Sequence, residues 1–327
     1  MFNTVLYVVV PCYNEQEVLN ETNKRILTKL YSLMDEKKIS PLSRIVYVDD
    51  GSKDDTWKLI EKYHEQDSTV SGLKISRNRG HQNAVFAGLM MSKKLCDCVI
   101  SVDADLQDDI DVFDKFIDKF HDGCDVVYGV RNDRETDTFF KRKTATLFYT
   151  VLQKMGAEVV YNHADYRLMS RRAVEALSTF PEVNLYLRGM VPLIGFKSDT
   201  VEYKRNERFA GESKYPLSKM LALAFDGITS FSVKPMRIIT VLGALVCFGG
   251  IFALIYSLVV HNMGRTEAGW TSLISSIWLI GGIQILCIGI IGEYIGKIFT
   301  EVKARPRFVV DKFLNDGEAI DDFSEIE

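Results

Sequence analysis

The sequence has no excess of positive charge and no export signal. Its 327 residues include 40 Lys and Arg against 44 Asp and Glu, which gives a net charge of -4. This balance excludes a protein that binds nucleic acid through a basic surface, and it is also unlike a disordered acidic chain. Residues 1–11 lead directly into an apolar run and lack a basic n-region. We therefore expect no signal peptide and a soluble part that stays in the cytoplasm.

Cysteines are few, and their spacing matches neither a disulfide framework nor a zinc site. The close pair is Cys96 and Cys98, and the others are far apart in the chain: Cys12, Cys124, Cys247 and Cys287. In a cytoplasmic protein such cysteines are expected to be reduced thiols without a structural role as ligands. The sequence also lacks an internal repeat and a low-complexity segment.

Two apolar runs near the C-terminal end are long enough to cross a membrane. They extend from Ile238 to Val260 and from Leu273 to Ile295, and each exceeds 20 residues. A bilayer core of about 30 Å needs about 20 apolar residues as a helix. Glycines in both runs, including Gly249 and Gly281, suit close helix packing in lipid. We predict two transmembrane helices, and the alternative is a pair of buried core helices.

The charges beside these runs predict how they are oriented. Lys and Arg flank the outer ends of the two runs, whereas the loop between them has Arg265 beside Glu267. Positive residues favour the cytoplasmic side, so both termini are expected in the cytoplasm of a multi-pass protein of the inner (plasma) membrane. Leu217–Phe231 has apolar residues at helical spacing, which predicts an interfacial helix or, alternatively, a core helix.

The predicted organisation has four parts. They are a cytoplasmic domain over residues 1–215, a juxtamembrane amphipathic helix over 216–236, two transmembrane helices with a short external loop over 237–300, and a partly disordered cytoplasmic tail over 301–327.

The soluble part alternates short apolar runs with segments of helical periodicity. Helices are predicted to begin near Asn14, Asp55, Gln82 and Ile110, between strands at Val5–Val10, Arg44–Val48, Gly72–Ile75, Cys98–Val102 and Asp125–Val130. Such alternation predicts an α/β fold, with a mainly parallel sheet and helices on both faces. Ligands bind such sheets outside the carboxyl ends of the strands. Three polar motifs stand at those ends: PCYNE at 11–15, DDGSKDDT at 49–56 and DADLQ at 103–107.

Carboxylates are crowded after the fourth predicted strand. Asp103 and Asp105 stand two apart at a strand end, so both side chains can point to one side of an extended chain. Close carboxylates share a proton or bind a cation, and Mg²⁺ or Mn²⁺ suits oxygen ligands, to which Gln107 adds an amide oxygen. A solvated loop is the alternative for this pair. For Asp108, Asp109 and Asp111, a solvated loop at the start of the next helix is the expected structure.

These motifs occur with RNRGHQNA at residues 77–84, in the order and spacing of the family-2 glycosyltransferases. Residues 4–235 resemble that family, which implies a GT-A (Rossmann-like) fold. The whole chain resembles the polyisoprenyl-phosphate glycosyltransferases, a group that includes dolichol-phosphate mannose synthase and the bactoprenol glucosyltransferases. Bacterial members of the group carry two C-terminal transmembrane helices, as predicted here.

The resemblance implies a binding site for a nucleotide-sugar donor. The nucleoside would be held by Asp50 and by the first turn, through Pro11, Tyr13, Asn14 and Glu15. Arg79 and Gly80 match a position near the nucleotide, and the alternative is a surface arginine beside a turn glycine. Asp103, Asp105 and Gln107 match the metal-binding D-x-D-x-Q run of the family, with Asp103 also facing the donor. Mg²⁺ or Mn²⁺ would bridge the diphosphate there.

The acceptor side needs cations rather than a base. A lipid phosphate has a second pKa of about 6 and is largely dianionic at neutral pH. The resemblance places Arg131, Lys141 and Arg142 on this phosphate, although a basic face on anionic lipid would explain them too. The segment RNERFAGESK at 205–214 resembles a mobile loop of the family, with Arg208, Ser213 and Lys214 at the phosphate. Asp165 would orient the sugar or the acceptor, or would form a salt bridge with Arg167.

The implied reaction is an inverting transfer from UDP-glucose or UDP-N-acetylglucosamine to polyprenyl (undecaprenyl) phosphate at the cytoplasmic membrane face, for glycosylation of the cell envelope. Family analogy also implies a homo-oligomer, a tetramer. One alternative is a processive polysaccharide synthase, although the Q-x-x-R-W motif of those enzymes is absent from this sequence. The other is a non-catalytic membrane scaffold that binds a nucleotide sugar.

Overall fold

The computed structural model describes residues 3–131, 163–183, 185–204, 269–315 and 318–319, and single positions at 239, 241, 243, 245 and 252. Its strands are β1 (Leu6–Cys12), β2 (Arg44–Asp49), β3 (Val70–Ile75), β4 (Cys98–Ser101), β5 (Val126–Arg131), β6 (His163–Ser170), β7 (Ser198–Tyr203), β8 (Val310–Asn315) and β9 (Glu318–Ala319). Its α-helices are α1 (Leu19–Asp35), α2 (Thr56–Gln66), α3 (His81–Ser92), α4 (Phe113–His121), α5 (Arg171–Ser178), α6 (Leu187–Leu193) and α7 (Trp270–Lys303).

The strands form a mixed sheet in the order β7-β5-β6-β4-β1-β2-β3-β8-β9. Neighbours from β4 to β3 are parallel, β6 runs antiparallel between β4 and β5, and β8 runs antiparallel to β3. The predicted mainly parallel sheet is therefore corrected to a mixed one, in which β6 and β8 oppose the other described strands. Because β1, β2, β4 and β5 share one direction, their carboxyl ends lie along the same edge.

Strand β1 continues through Pro11, where the sequence predicts an end. The Cys12 carbonyl accepts from the Asp50 N–H at 2.9 Å, on the β2 side, and the Val9 carbonyl accepts from the Val102 N–H at 3.1 Å, on the β4 side. Alternate residues face opposite neighbours, so Pro11 faces the β4 side. Pairing with β4 has already ended there, at Val9 and Ser101. The missing N–H of Pro11 thus breaks no ladder bond.

Helices cover both faces of the sheet, as predicted. On one face, Val8 and Val10 belong to a buried core with residues of α1 and α4, among them Ile26, Leu30, Phe113 and Phe116. On the other face, α3 packs closely on β1, since a Cβ placed on Gly88 would lie 2.4 Å from Val9 Cγ1. The alternation of β1 side chains between the two faces explains why its whole length is buried.

Residues 310–315 and 318–319 do not form the tail that the sequence predicts. Strand β8 pairs with β3, with Leu73 opposite Phe313, and β9 pairs with β8. Phe313 is 1% exposed, and Ser71 donates a hydrogen bond to Asn315. The segment is missed because two exposed charged residues lie ahead of the buried Phe313 in β8, a pattern that resembles a polar loop. It is an edge component of the same sheet as β1–β7.

Helix α7 forms a unit apart from the sheet. It includes the second predicted apolar run, and its segment Ile283–Lys303 is long and apolar enough to cross a membrane by length and composition. That segment is the candidate span found in the described part of the chain. The first predicted run and the predicted interfacial helix lie outside the described residues, apart from helical positions at 239, 241, 243, 245 and 252.

Candidate active site

Two polar loops meet at the carboxyl ends of β1 and β2. The Asn14 N–H donates to Ser52 Oγ at 3.0 Å, and Asn14 Oδ1 accepts from the Lys53 N–H at 2.8 Å. The Glu15 N–H donates to Thr56 Oγ1 at 2.9 Å. Asn14 has a left-handed backbone with φ 56°, which an α-helix cannot include, and α1 begins at Leu19 rather than at Asn14. Both predicted loops therefore form one surface, on which Tyr13 is 40% exposed.

Asp50 holds a third loop against this surface. Its Oδ1 accepts from the Arg79 N–H at 2.7 Å, and its Oδ2 accepts from the Gly80 N–H at 2.8 Å. Burial raises the pKa of the Asp50 carboxyl, and these two bonds only partly offset the effect. Gly80 has φ 90°, a conformation that favours glycine, and it precedes α3. Asp50 thus brings Arg79 and Gly80 to the edge where their predicted role requires them.

The loop after β4 carries the predicted metal ligands. Asp105 Oδ1 accepts from the Gln107 N–H at 3.1 Å, across Leu106, which is 4% exposed. Leu106 has φ 58°, a left-handed conformation that costs a non-glycine residue about 1–2 kcal/mol. Thr22 of α1 supports the loop by donating to the Ala104 carbonyl at 2.7 Å. Such strain is typical of functional loops, and no sequence pattern indicated it.

Several charged side chains surround Asp103. Burial raises the pKa of this carboxyl to about 6, nearby His81 lowers it, and the neighbouring acids Asp108, Asp165 and Asp105 raise it. His81 Nε2 lies 3.5 Å from Asp103 Oδ1 and 3.7 Å from Asp165 Oδ2. Partial desolvation lowers the pKa of His81, whose side chain is 43% exposed, but Asp165 and Asp103 outweigh this effect and raise it to about 9. An imidazolium at neutral pH therefore offsets part of the crowded negative charge.

Asp165, on β6, is held by arginines on two sides. Arg167 Nη2 donates to Asp165 Oδ1 at 2.8 Å, which is the salt bridge left open by the sequence. Arg188, at the start of α6, donates to both oxygens, from Nε at 3.1 Å and from Nη2 at 3.0 Å. Burial raises the pKa of Asp165, but His81, Arg188 and Arg167 hold it well below its usual range. Sequence reasoning missed His81 and Arg188.

Arg131, the last residue of β5, is fixed by a buried pair of side chains. Its Nη2 donates to Asp108 Oδ1 at 3.3 Å, and its Nε donates to the Tyr203 hydroxyl at 3.1 Å. That hydroxyl donates to Asp108 Oδ1 at 2.5 Å. Asp108 is 3% exposed, so its expected place in a solvated capping loop is wrong. Asp109 does cap the following turn, by accepting from the Asp111 N–H at 2.9 Å.

Tyr203→Phe is expected to lower the free energy of unfolding by about 1–3 kcal/mol, because a buried carboxylate loses a hydrogen-bond donor. Tyr31→Phe is a matched control, since Tyr31 makes the same kind of bond to Asp67 at 2.6 Å on an exposed surface. Denaturant unfolding of the purified protein would measure both. An equal loss in the two variants would contradict a special role for the Asp108 contact.

The residues present fit a divalent cation in part. Two carboxylates and an amide provide hard oxygen donors, and Mg²⁺ usually takes one or two protein carboxylates with phosphate and water oxygens. Among the described residues, no group of three or more His, Cys, Asp or Glu side chains is arranged to hold a metal ion. Asp103, Asp105 and Gln107 would therefore supply part of a ligand set for a divalent cation.

The remaining predicted acceptor residues lie outside the described part of the chain. These are Lys141, Arg142, Arg208, Ser213 and Lys214. A cavity of about 440 Å³ lies between α1 and the loop at 106–111, lined by Lys24, Arg25 and Lys29 and by Asp108, Asp109 and Asp111. Its lining does not include Asp103 or Asp105, although Asp108 both lines the cavity and pairs with Arg131.

Comparison with known proteins identifies the family. The model of glycosyl transferase family 2 matches residues 7–178. The chain belongs to this family. A second model, the GtrB C-terminal hairpin, matches residues 234–298. The predicted glycosyltransferase activity is thereby confirmed at the level of the family, together with the α/β architecture of a Rossmann-like sheet with helices.

Relatives of this family-2 glycosyltransferase align with it over nearly their whole length. The uncharacterized glycosyltransferase YkoT of Bacillus subtilis is 55% identical over 94% of this chain and 91% of its own. The SfII prophage-derived bactoprenol glucosyl transferase of Shigella flexneri is 40% identical over 93% of this chain and 97% of its own. The predicted resemblance to such enzymes is confirmed.

A likeness also extends to a solved structure. The mannosyltransferase PcManGT of Pyrobaculum calidifontis matches with a TM-score of 0.46 and 15% identity, over 94% of this chain and 89% of that one.

Proposed function

We propose that this chain is an inverting, metal-dependent glycosyltransferase that moves a sugar from a nucleotide sugar, UDP-glucose or UDP-N-acetylglucosamine, to polyprenyl phosphate. Undecaprenyl phosphate is the proposed lipid, and the cytoplasmic membrane face is the proposed location. The proposed acceptor rests on near full-length similarity to relatives named bactoprenol glucosyl transferase, at 40% identity.

The donor side is supported by two buried polar atoms, one in the loop after β3 and one on α3. Arg79 Nε and Asn83 Oδ1 are buried and have no hydrogen-bond partner among the described residues. Unsatisfied buried polar atoms are costly, and a ligand that pairs with them would remove the cost. Tyr13 is exposed enough to stack on a base. We assign the nucleotide to the surface formed by Pro11–Glu15, Asp50 and Arg79–Gly80.

Asp103, Asp105 and Gln107 would hold Mg²⁺ or Mn²⁺. A bound divalent cation would offset the charge that develops on the leaving diphosphate. The raised pKa of Asp103, about 6 in the protein alone, reflects burial and the acids around it, and a cation would favour the ionised form. His81 remains within 3.5 Å of Asp103 and limits the negative charge around the pair.

The transfer itself requires no general base in this scheme. A phosphate oxygen of the lipid attacks the anomeric carbon of the sugar, and the bond from that carbon to the donor diphosphate oxygen breaks. UDP leaves with the electron pair of that bond, and attack from the opposite face inverts the anomeric centre. Arg131 at the end of β5 would bind the acceptor phosphate, held in place by Asp108 and Tyr203. Lys141, Arg142, Arg208, Ser213 and Lys214 would complete the acceptor site.

The order of strands in the sheet supports a chain that crosses the membrane twice. Strands β1–β7 precede the apolar runs and β8 follows them, yet β8 pairs with β3 in the same sheet. The two flanks must therefore lie on one side of the membrane, which requires an even number of crossings. If Ile283–Lys303 spans the bilayer, a second span must precede it. The match of a C-terminal hairpin over 234–298 agrees with this arrangement. We propose cytoplasmic termini and, by family analogy, a tetramer.

Transfer of radiolabelled sugars tests the reaction directly. A panel of UDP- and GDP-sugars would be incubated with undecaprenyl phosphate and the purified protein in detergent, with Mn²⁺, with Mg²⁺ and with EDTA. We expect an organic-extractable labelled lipid from a UDP-sugar, and its complete loss in EDTA with recovery on excess Mn²⁺.

Other products would point to the alternatives. A labelled polymer in the aqueous phase would indicate a polysaccharide synthase, and nucleotide-sugar binding without any product would indicate a scaffold. A lipid product that EDTA leaves unchanged would contradict the proposed metal. A lipid product formed only from a GDP-sugar would support the proposed acceptor and contradict the proposed donor.

A further inference from the structure

Arg188 is fixed in position by contacts from two other elements, α3 and β6. The Leu187 N–H donates to Gln82 Oε1 of α3 at 2.7 Å, and Arg167 Nη1 of β6 donates to the Leu187 carbonyl at 3.2 Å. The N–H and the carbonyl of Leu187, the residue before Arg188, are therefore both held by side chains of neighbouring elements. Arg188 then places Nε and Nη2 on the two oxygens of Asp165, at 3.1 and 3.0 Å. These contacts hold Arg188 in one position beside Asp165.

Asp165 is not arranged as a proton acceptor. Its side chain is 10% exposed, and both oxygens accept from arginine N–H groups. Arg167, its inner partner, is 3% exposed, whereas the side chain of Arg188 is 34% exposed. The buried carboxylate thus neutralises one arginine inside the fold and orients a second one that reaches the surface.

This partly exposed arginine lies at the same edge of the sheet as Asp103. Strand β6 lies between β4 and β5, with Arg167 opposite Ser101 and Tyr128. Asp165 is two residues beyond that pairing, past the end of β4. The network therefore lies between the loop of Asp103 and the end of β5, and His81 Nε2 bridges Asp103 and Asp165 at 3.5 and 3.7 Å.

We propose that Arg188 is a phosphate-binding residue of the active site and that Asp165 is the residue that positions it. The inference rests on the proposed function, in which a donor diphosphate and an acceptor phosphate both bind at this edge. A guanidinium has five N–H donors in a rigid fork, so it can hold a carboxylate on one side and a phosphate on another. The shared ligand chemistry is a phosphate oxyanion, from the nucleotide or from the lipid.

Arg188→Gln and Arg188→Lys test the proposal, with Asp165→Asn as a third variant. Arg171→Gln is the matched control, because Arg171 pairs with Asp97 at 3.1 Å at the opposite end of the sheet. Three quantities would be measured in detergent: the Kd for UDP with Mn²⁺ by calorimetry, the KM for undecaprenyl phosphate, and the unfolding temperature. We expect Arg188→Gln to raise the Kd or the KM by about tenfold or more.

The pattern across the variants separates binding from folding. Arg188→Lys should recover part of the affinity because it keeps the charge and loses the fork. Asp165→Asn should shift the same constant in the same direction, and Arg171→Gln should shift neither. A rise in the Kd for UDP assigns Arg188 to the donor diphosphate, and a rise in the KM alone assigns it to the lipid phosphate.

Two results would overturn the proposal. One is an Arg188→Gln variant in which kcat or the unfolding temperature falls while the Kd for UDP and the KM for undecaprenyl phosphate stay unchanged. The other is a wild type that makes no lipid-linked sugar together with an unchanged Kd for UDP in Arg188→Gln. If the wild type makes no lipid-linked sugar but Arg188→Gln weakens UDP binding, the proposed acceptor fails while Arg188 remains a phosphate-binding residue.

Discussion

Asp105→Asn is expected to reduce sugar transfer by on the order of 100-fold or more. Mutation of residues that only support a metal ligand typically costs 10–100-fold in activity, so loss of a direct ligand should cost at least as much. The amide keeps one oxygen and the volume of the side chain, but it removes the negative charge that a hard cation prefers. Asp105 also accepts from the Gln107 N–H, a bond that an amide oxygen can retain, so the loop should keep its conformation.

Initial rates with saturating donor, measured over a Mn²⁺ titration, would test this expectation. Asp111→Asn is the matched control, since Asp111 follows on the same loop and is exposed. Its rate should stay within about threefold of the wild type, as expected for a surface substitution away from the site. A variant of Asp105 that keeps wild-type rates at limiting Mn²⁺ would remove Asp105 from the metal site.

The parts of the fold that could be predicted are those with local signals. Strand β1 and its parallel neighbours are continuous apolar runs, and such runs indicate strands buried on both faces. Since parallel strands end at one edge, the motifs at 11–15, 49–56 and 103–107 were expected to meet. The hydrogen bonds between Asn14 and residues 52–53 confirm that the first two motifs meet.

The parts that could not be predicted depend on contacts between distant segments. Strand β6 includes Asp165 and Arg167, charged residues that are buried only because they pair with each other and with Arg188 on α6. The sequence offered the pair of Asp165 and Arg167 as an alternative, but it does not show the contact with Arg188, 23 residues later. Asp108 resembled a helix cap because its partners, Arg131 and Tyr203, come 23 and 95 residues later. Strand β8 follows a membrane-length helix, which made it resemble a tail.

Asp50→Asn is expected to weaken UDP binding by about tenfold or more and to lower the free energy of unfolding by about 1.5–3 kcal/mol. Asp50 is 2% exposed and accepts from two N–H groups, at 2.7 and 2.8 Å. An amide has one oxygen, so its NH₂ group must face the N–H of Arg79 or Gly80. The loop that carries Arg79 would then lose a charge-assisted bond, and with it the position from which Arg79 reaches the nucleotide.

Asp49→Asn is the matched control for this effect. Asp49 is the preceding residue and is fully buried, but its hydrogen bonds come from Ser52 alone, with the Ser52 N–H donating to Oδ1 at 3.2 Å, while its Oδ2 has no partner among the described residues. An amide oxygen can keep the contact with Ser52, so the variant should bind UDP nearly as the wild type does. Calorimetry with UDP and Mn²⁺, together with denaturant unfolding, would compare the two variants. If they lose affinity equally, the effect comes from neutralising buried acids near β2, and the bonds from Asp50 to Arg79 and Gly80 do not position the nucleotide loop.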